Sequence, residues 1–205
     1  MIIAVDGPTA SGKGTIARAL ADHFGLPHLD TGLLYRAVGH QVALNHGDPD
    51  NPADALAGTA FADALLDDPI LRSEATGALA SRVSVHPDVR AALLTRQRRF
   101  ADQPGGAVLD GRDIATVIAP HAQAKLYVTA SLAARALRRY LEMRNRGEDV
   151  SREAIEADLA ARDARDTTRQ TAPLRRADDA ALLDTSALSP EAAIAAAIAL
   201  VGKQQ

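Results

Sequence analysis

With 205 residues, 47% of them hydrophobic and 24% charged, the chain is long enough for one substantial core and short for two independent ones. A net charge of −3 gives no general attraction to nucleic acid or to an anionic membrane, so any anion site has to be local. The absence of cysteine excludes a disulfide framework, thiolate catalysis and a cysteine-bound zinc, and the histidines show none of the i, i+4 pairs of a helical metal site.

Ile2 to Val5 is an aliphatic run without alternation, as expected of a strand covered on both faces in a parallel sheet. Asp6 follows at once, placed to brace the loop after it. The start lacks the basic stretch of a secretory signal, and Ala192 to Val201, the longest apolar stretch, is too short to span a bilayer. A cytoplasmic monomer with neither membrane nor nucleic acid as partner is expected. Beyond the glycine-rich segment, Ile16, Leu20 and Phe24 fall at helical spacing, with Gly25 where a cap belongs and Pro27 behind it. A short second strand follows at His28 to Asp30. Thr31 is expected to cap a helix that turns Leu34, Val38 and Val42 to the core.

Residues 45–52 form a turn cluster, and the alanine-rich stretch to about His86 predicts short helices near 53–66 and 76–83 in a side element. Asp88 to Phe100 reads as helix, Ala107 to Asp110 as a third strand, Lys125 to Val128 as a fourth and Ala181 to Leu183 as a fifth. Ser189 and Pro190 start a last helix. Between the fourth and fifth strands, residues 132, 133, 136, 137, 140 and 141 make an apolar helical stripe, and a second helix opens at Ser151. Arg135, Arg138, Arg146 and Arg152 read as surface charges balanced by carboxylates. Strands separated by helices imply an α/β layered fold with a mostly parallel sheet.

The stretch Gly7, Pro8, Thr9, Ala10, Ser11, Gly12, Lys13 has the G-x-x-x-x-G-K spacing of a P-loop, preceded by a strand and followed by a helix. Such a turn aims backbone N–H groups and the positive end of a helix dipole at one small volume, which suits a polyphosphate. Lys13 is placed to meet the terminal phosphates. Gly14 stands where Ser or Thr is usual and the hydroxyl comes one later, at Thr15, so magnesium is expected to be held indirectly, through water. Asp110, at the end of the third strand, is the candidate acid for that water, or else a turn residue capping the next helix. Arginines suited to a second phosphate stand at Arg36, Arg112, Arg162, Arg165 and Arg169.

GPTASGKGT at 7–15, LDTGLLYR at 29–36, DGRDIATVIAP at 110–120 and RDARDTTRQTAPL at 162–174 together resemble the successive motifs of the bacterial cytidylate kinases over nearly the whole chain. The resemblance implies a P-loop NTPase three-layer sandwich with a five-stranded parallel sheet, a helical acceptor-binding insertion at about 45–87 and a mobile lid at about 144–170. It implies ATP and Mg2+ as cofactors, and transfer of the γ-phosphoryl group to CMP or dCMP. Carried over by residue, it puts Lys13 and the loop amides on the donor phosphates and Arg36 and Thr31 with the acceptor. Ser81, Arg112 and Asp113 would line the cytosine pocket, Asp166 and Arg169 would meet the acceptor's sugar and phosphate, and Arg162 would swing in with the lid. The stretch from Ala60 to Ile70 is shorter than in longer members of the family. Thr129 stands where an aspartate is frequent, which predicts weaker reading of the cytosine amine and a narrower margin over UMP. A P-loop kinase for another small acceptor, such as UMP, another nucleotide or shikimate, stays open. So does a regulatory nucleotide switch, although no N-K-x-D guanine-reading motif occurs.

Overall fold

A computed structural model describes residues 1–204, which fall into two compact units, 1–29 with 101–204, and Asp30–Phe100. The second unit is wider than the 45–87 insertion, because the helix that starts at Thr31 packs on a helix of its own unit.

The first unit is built on the sheet. Strands β1 (Ile2–Asp6), β2 (His28–Asp30), β3 (Ala107–Gly111), β4 (Ala124–Thr129) and β5 (Ala181–Asp184) run in the order β2-β3-β1-β4-β5. β1 pairs in parallel with both β3 and β4, in a register that sets Asp6 opposite Gly111 on one side and Tyr127 on the other. β1 and β3 therefore finish level, β4 runs two residues further, and the residues that follow the three strands share one rim. The chain passes to opposite sides of β1 after β3, and at such a switch point the carboxyl ends of parallel strands open a crevice for ligands.

All five residues of β1 are buried, as an unalternating aliphatic run requires. One face is covered by α1 (Lys13–Phe24) and the last helix of the chain, Pro190–Gly202, whose Ala193, Ala197 and Val201 join Ile16, Leu20, Val5 and Leu126 in the main cluster. Small alanines let the two helices approach closely. A fully buried Leu20 stabilises by about 1.5–3 kcal/mol relative to exposure. The same unit carries a helical hairpin, Leu132–Asn145 and Arg152–Thr168, each capped by a serine hydroxyl, Ser131 and Ser151. The hairpin has its own small core of Ala136, Met143, Ile155 and Leu159, against which Ala10 of the glycine-rich loop packs.

The second unit is helical: α2 (Thr31–Leu44), α3 (Pro52–Ala57), α4 (Glu74–Val83) and α5 (Pro87–Ala101), so the hairpin helices are α6 and α7 and the last helix is α8. Thr31 does not cap α2. Asp30 does, its carboxylate accepting from the Leu33 N–H at 3.3 Å, and an anion at the positive helix end outcompetes the neighbouring hydroxyl. The helix expected over 53–66 stops at Ala57. Asn51 and Pro52 start it well, but only single 3-10 turns follow, at Asp63–Asp67 and Pro69–Arg72. Arg82 of α4 ties the 45–52 turn down through Asp48 at 3.0 Å and Asp50 at 2.5 Å.

Candidate active site

The glycine-rich loop leaves β1 and delivers the chain to α1 with no side chain capping the helix. Gly12 takes a left-handed backbone at φ 89, and a Cβ on Gly7 would fall 2.0 Å from the Val128 carbonyl oxygen, so neither position tolerates another residue without rearrangement. Ala10 is left-handed too, at φ 61. The first turn of α1 and its dipole thus face one end of the loop, with Lys13 as the first helical residue. Ser11 is fully buried, and its carbonyl accepts from the Thr185 hydroxyl at 2.9 Å.

Two carboxylates stand at the strand ends beside this loop, and they do different things. Asp6 accepts from the Ile114 and Ala115 amides, both at 2.8 Å, and so caps the π-helical turn Ile114–Ile118 from another strand. Burial pushes its pKa up to about 7, against those two donations, and the neighbouring Asp113 adds to the rise. Asp110 therefore does not cap the turn after its strand. It lies 2% exposed with Oδ1 2.7 Å from His28 Nε2, and its Oδ2 would be 3.7 Å from a Cβ on Gly14. That carboxylate oxygen against the first turn of α1, near the exposed Thr15, is a hard donor set of the kind magnesium accepts.

The third feature of the unit is a knot of arginines and aspartates. Arg112, just after β3, donates from Nε to Asp166 at 2.7 Å and from Nη2 to the Thr9 hydroxyl at 2.6 Å. Arg169, whose side chain is 5% exposed, approaches Asp166 at 3.7 Å and Asp113 at 3.9 Å and donates from Nε to the Ala172 carbonyl. Arg162 is buried nearby. After burial itself, the positive charge of Arg112 contributes most to pulling its pKa down. Burial would raise the pKa of Asp166, but Arg112, then Arg169 and Arg162, hold it below the ordinary carboxylate value. Three guanidiniums thus gather around Asp166, with Asp113 beside Arg169. Arg165 points to solvent.

Within the second unit, Arg36 is fixed by its own surroundings. Its Nη1 donates to the carbonyls of Leu71 at 2.9 Å and Ser73 at 2.7 Å, and the guanidinium rests on Gly77, where a Cβ would come within 2.9 Å of Nη2. Ser81 is buried on α4, and Thr31 is buried at the start of α2. Arg90 of α5 is 7% exposed, donates to the Ser84 carbonyl and lies 5.4 Å from the centre of the Tyr35 ring.

Several of these residues differ from the sequence reading. Arg135 and Arg138 are not surface charges: Arg135 is 5% exposed and bonds Ala130, Thr9 and Asp163, while Arg138 bonds the carbonyl and hydroxyl of Thr185. Thr129 pairs in register with Asp184 of β5 and gives its carbonyl to Thr185, and β1 lies between β4 and β3, the strand that Arg112 and Asp113 follow. Thr185, Arg90 and His28 carry site geometry without having been singled out. Arg90 was visible as an arginine among the buried positions Val89, Leu93 and Gln97 of one helix, and Thr185 as the polar end of a fifth strand in the same layer.

The sequence model of the family described as cytidylate kinase matches residues 3–203. A protein of Xanthobacter autotrophicus named cytidylate kinase is 58% identical over 98% of this chain and 97% of its own, and one of Methylocella silvestris with the same name is 56% identical over 98% and 94%. Among solved structures, an uncharacterized protein from Eubacterium ventriosum superposes with a TM-score of 0.53 at 15% identity over 99% of this chain, a likeness of fold.

Proposed function

The chain belongs to the cytidylate kinase family, and on that footing we propose that it transfers the γ-phosphoryl group of ATP to CMP or dCMP, giving ADP and CDP or dCDP. The nucleophile is an oxygen of the acceptor's own phosphate, largely ionised at neutral pH, so no side chain has to remove a proton. What the protein must supply is alignment, and neutralisation of two mutually repelling anions.

The loop amides from Thr9 to Thr15 and the ammonium of Lys13 bind the donor phosphates, with Gly7 and Pro8 shaping the turn. Arg162 and Arg169 offset the charge that spreads over the transferring group, while Arg112 and Asp166 orient the arginines and the acceptor's sugar. Magnesium, when bound, would offset phosphate charge; Asp110 and the hydroxyl of Thr15 would hold it through water. In the helical unit, Arg36 takes the acceptor phosphate and Ser81 the cytosine edge. Buried Arg90, stacked on Tyr35, joins Ser81 as a donor able to tell cytosine from uracil. The observation that carries this reading is the gathering of Arg112, Arg162 and Arg169 around Asp166, more positive charge than a P-loop alone requires.

An ADP-release assay with ATP and magnesium across CMP, dCMP, UMP, AMP, GMP and shikimate tests it. Turnover with CMP and dCMP well above the rest is expected. No turnover with either would overturn the assignment.

A further inference from the structure

The P-loop is gripped from outside by a residue the phosphoryl-transfer scheme does not use. Arg135 sits on α6 with its side chain 6% exposed, and all three nitrogens of its guanidinium are engaged. Nε donates to the Ala130 carbonyl at 3.0 Å, and Nη1 donates to the Thr9 carbonyl at 3.2 Å. Nη1 and Nη2 together make a two-pronged pair with Asp163 of α7, at 3.2 and 2.6 Å. One turn further along α7, Asp166 holds Arg112, whose Nη2 takes the hydroxyl of the same Thr9 at 2.6 Å. Residues three apart share a helix face. Two aspartates on one face of α7 thus hold two arginines that converge on one loop residue. The next residue, Ala10, has a left-handed backbone at φ 61 that a side chain enters only at a cost, and it packs into the α6–α7 core.

We propose that Arg135, held by Asp163, is a positioning residue for the donor: it sets the orientation of the Thr9–Ala10 peptide and thereby couples the affinity for ATP to the packing of α7. The peptide is planar and trans, so a Thr9 carbonyl turned to Arg135 sends the Ala10 N–H to the opposite side. Without the arginine, Ala10 relaxes out of its left-handed conformation and that N–H leaves the set that meets the donor phosphates. A lysine keeps the charge but cannot bridge the carbonyl and both carboxylate oxygens, because it lacks the planar fork. Arg135 touches neither nucleotide in this scheme and acts through the loop.

The inference rests on ATP being the donor, and the experiment separates the two. Steady-state kinetics are measured for the wild type, Arg135→Lys, Asp163→Asn and the double variant, with separate KM values for ATP and CMP, the dissociation constant for ADP and the thermal midpoint. A wild type that transfers nothing to CMP refutes the functional reading itself. With an active wild type, Arg135→Lys is expected to raise the KM for ATP and the ADP dissociation constant about 10-fold with the KM for CMP and kcat within about twofold, the pattern of a lost binding interaction rather than lost chemistry. Asp163→Asn should do the same to about 3-fold, and the double variant should be no worse than Arg135→Lys, because the pair acts as a unit. Unchanged KM for ATP, or both KM values rising alongside a falling midpoint, overturns the proposal. If Arg135→Lys does not fold, Asp163→Asn decides alone, on the same comparison of ATP with CMP.

Discussion

Replacing Gly77 by alanine should strengthen the fold and weaken the acceptor site at once. Gly77 lies in α4, where alanine in place of glycine favours the helix by about 1 kcal/mol, worth roughly 2–4 °C in thermal midpoint for a chain of this size. The new Cβ, however, would stand 2.9 Å from Arg36 Nη2 and 3.2 Å from Cζ and Nη1, where ordinary contact begins at 3.4 Å. The guanidinium must withdraw by about half an ångström. It cannot do so freely, because Nη1 is held at 2.9 and 2.7 Å by the Leu71 and Ser73 carbonyls, and bonds to a charged donor of this kind are worth about 1.5–3 kcal/mol each. Misplacement of a substrate-binding group by 1 Å can cost about 10²-fold, so half that displacement predicts about a 10-fold rise in the KM for CMP. The KM for ATP should stay within about twofold, and the midpoint should hold or rise. Kinetics with each substrate varied in turn, beside a thermal melt, read all three. A raised midpoint with an unchanged KM for CMP would refute the reasoning, since the arginine would then meet the acceptor from somewhere other than the face of Gly77.

Lys13→Ala and Arg169→Ala should each lower kcat/KM by at least about 10²-fold, as removal of a preorganised charge at a developing anion does; a loss below threefold in either means that residue is misplaced in the scheme. Asp110→Asn should raise the magnesium concentration needed for half-maximal rate several-fold at saturating ATP, and an unchanged requirement would place the ion elsewhere. Asp6 gives a pH signature. Its pKa is raised from 3.8 to about 7 by burial, so its contribution to stability is full below about pH 4, is lost as the pH climbs toward 7, and is flat above that. The loss is at most about 4 kcal/mol. Asp6→Asn should remove that slope from denaturant midpoints measured between pH 4 and pH 8, and a slope identical to the wild type would contradict the assignment.

The parts of the fold that could be read from the chain are those whose cause is local. β1 is legible because a strand buried on both faces needs five apolar or paired residues in a row, and α1 because its stripe, its glycine stop and the loop before it are contiguous. The capping serines at 131, 151 and 189 are local in the same sense. Arg135 was not legible. It flanks an apolar stripe and looks like any solvated helix charge until Asp163, 28 positions on, comes to it across the α6–α7 hairpin. Arg36 and the arginines around Asp166 could be suspected from residue type and motif, but their geometry depends on carbonyls and carboxylates supplied by other elements.

The account turns on one protein holding a donor and an acceptor together. Calorimetric titration of CMP into the protein saturated with magnesium and a non-hydrolysable ATP analogue tests this most directly. One CMP bound per chain, with affinity equal to or above that in the absence of the analogue, is predicted; CMP that fails to bind, or that displaces the triphosphate, contradicts the account.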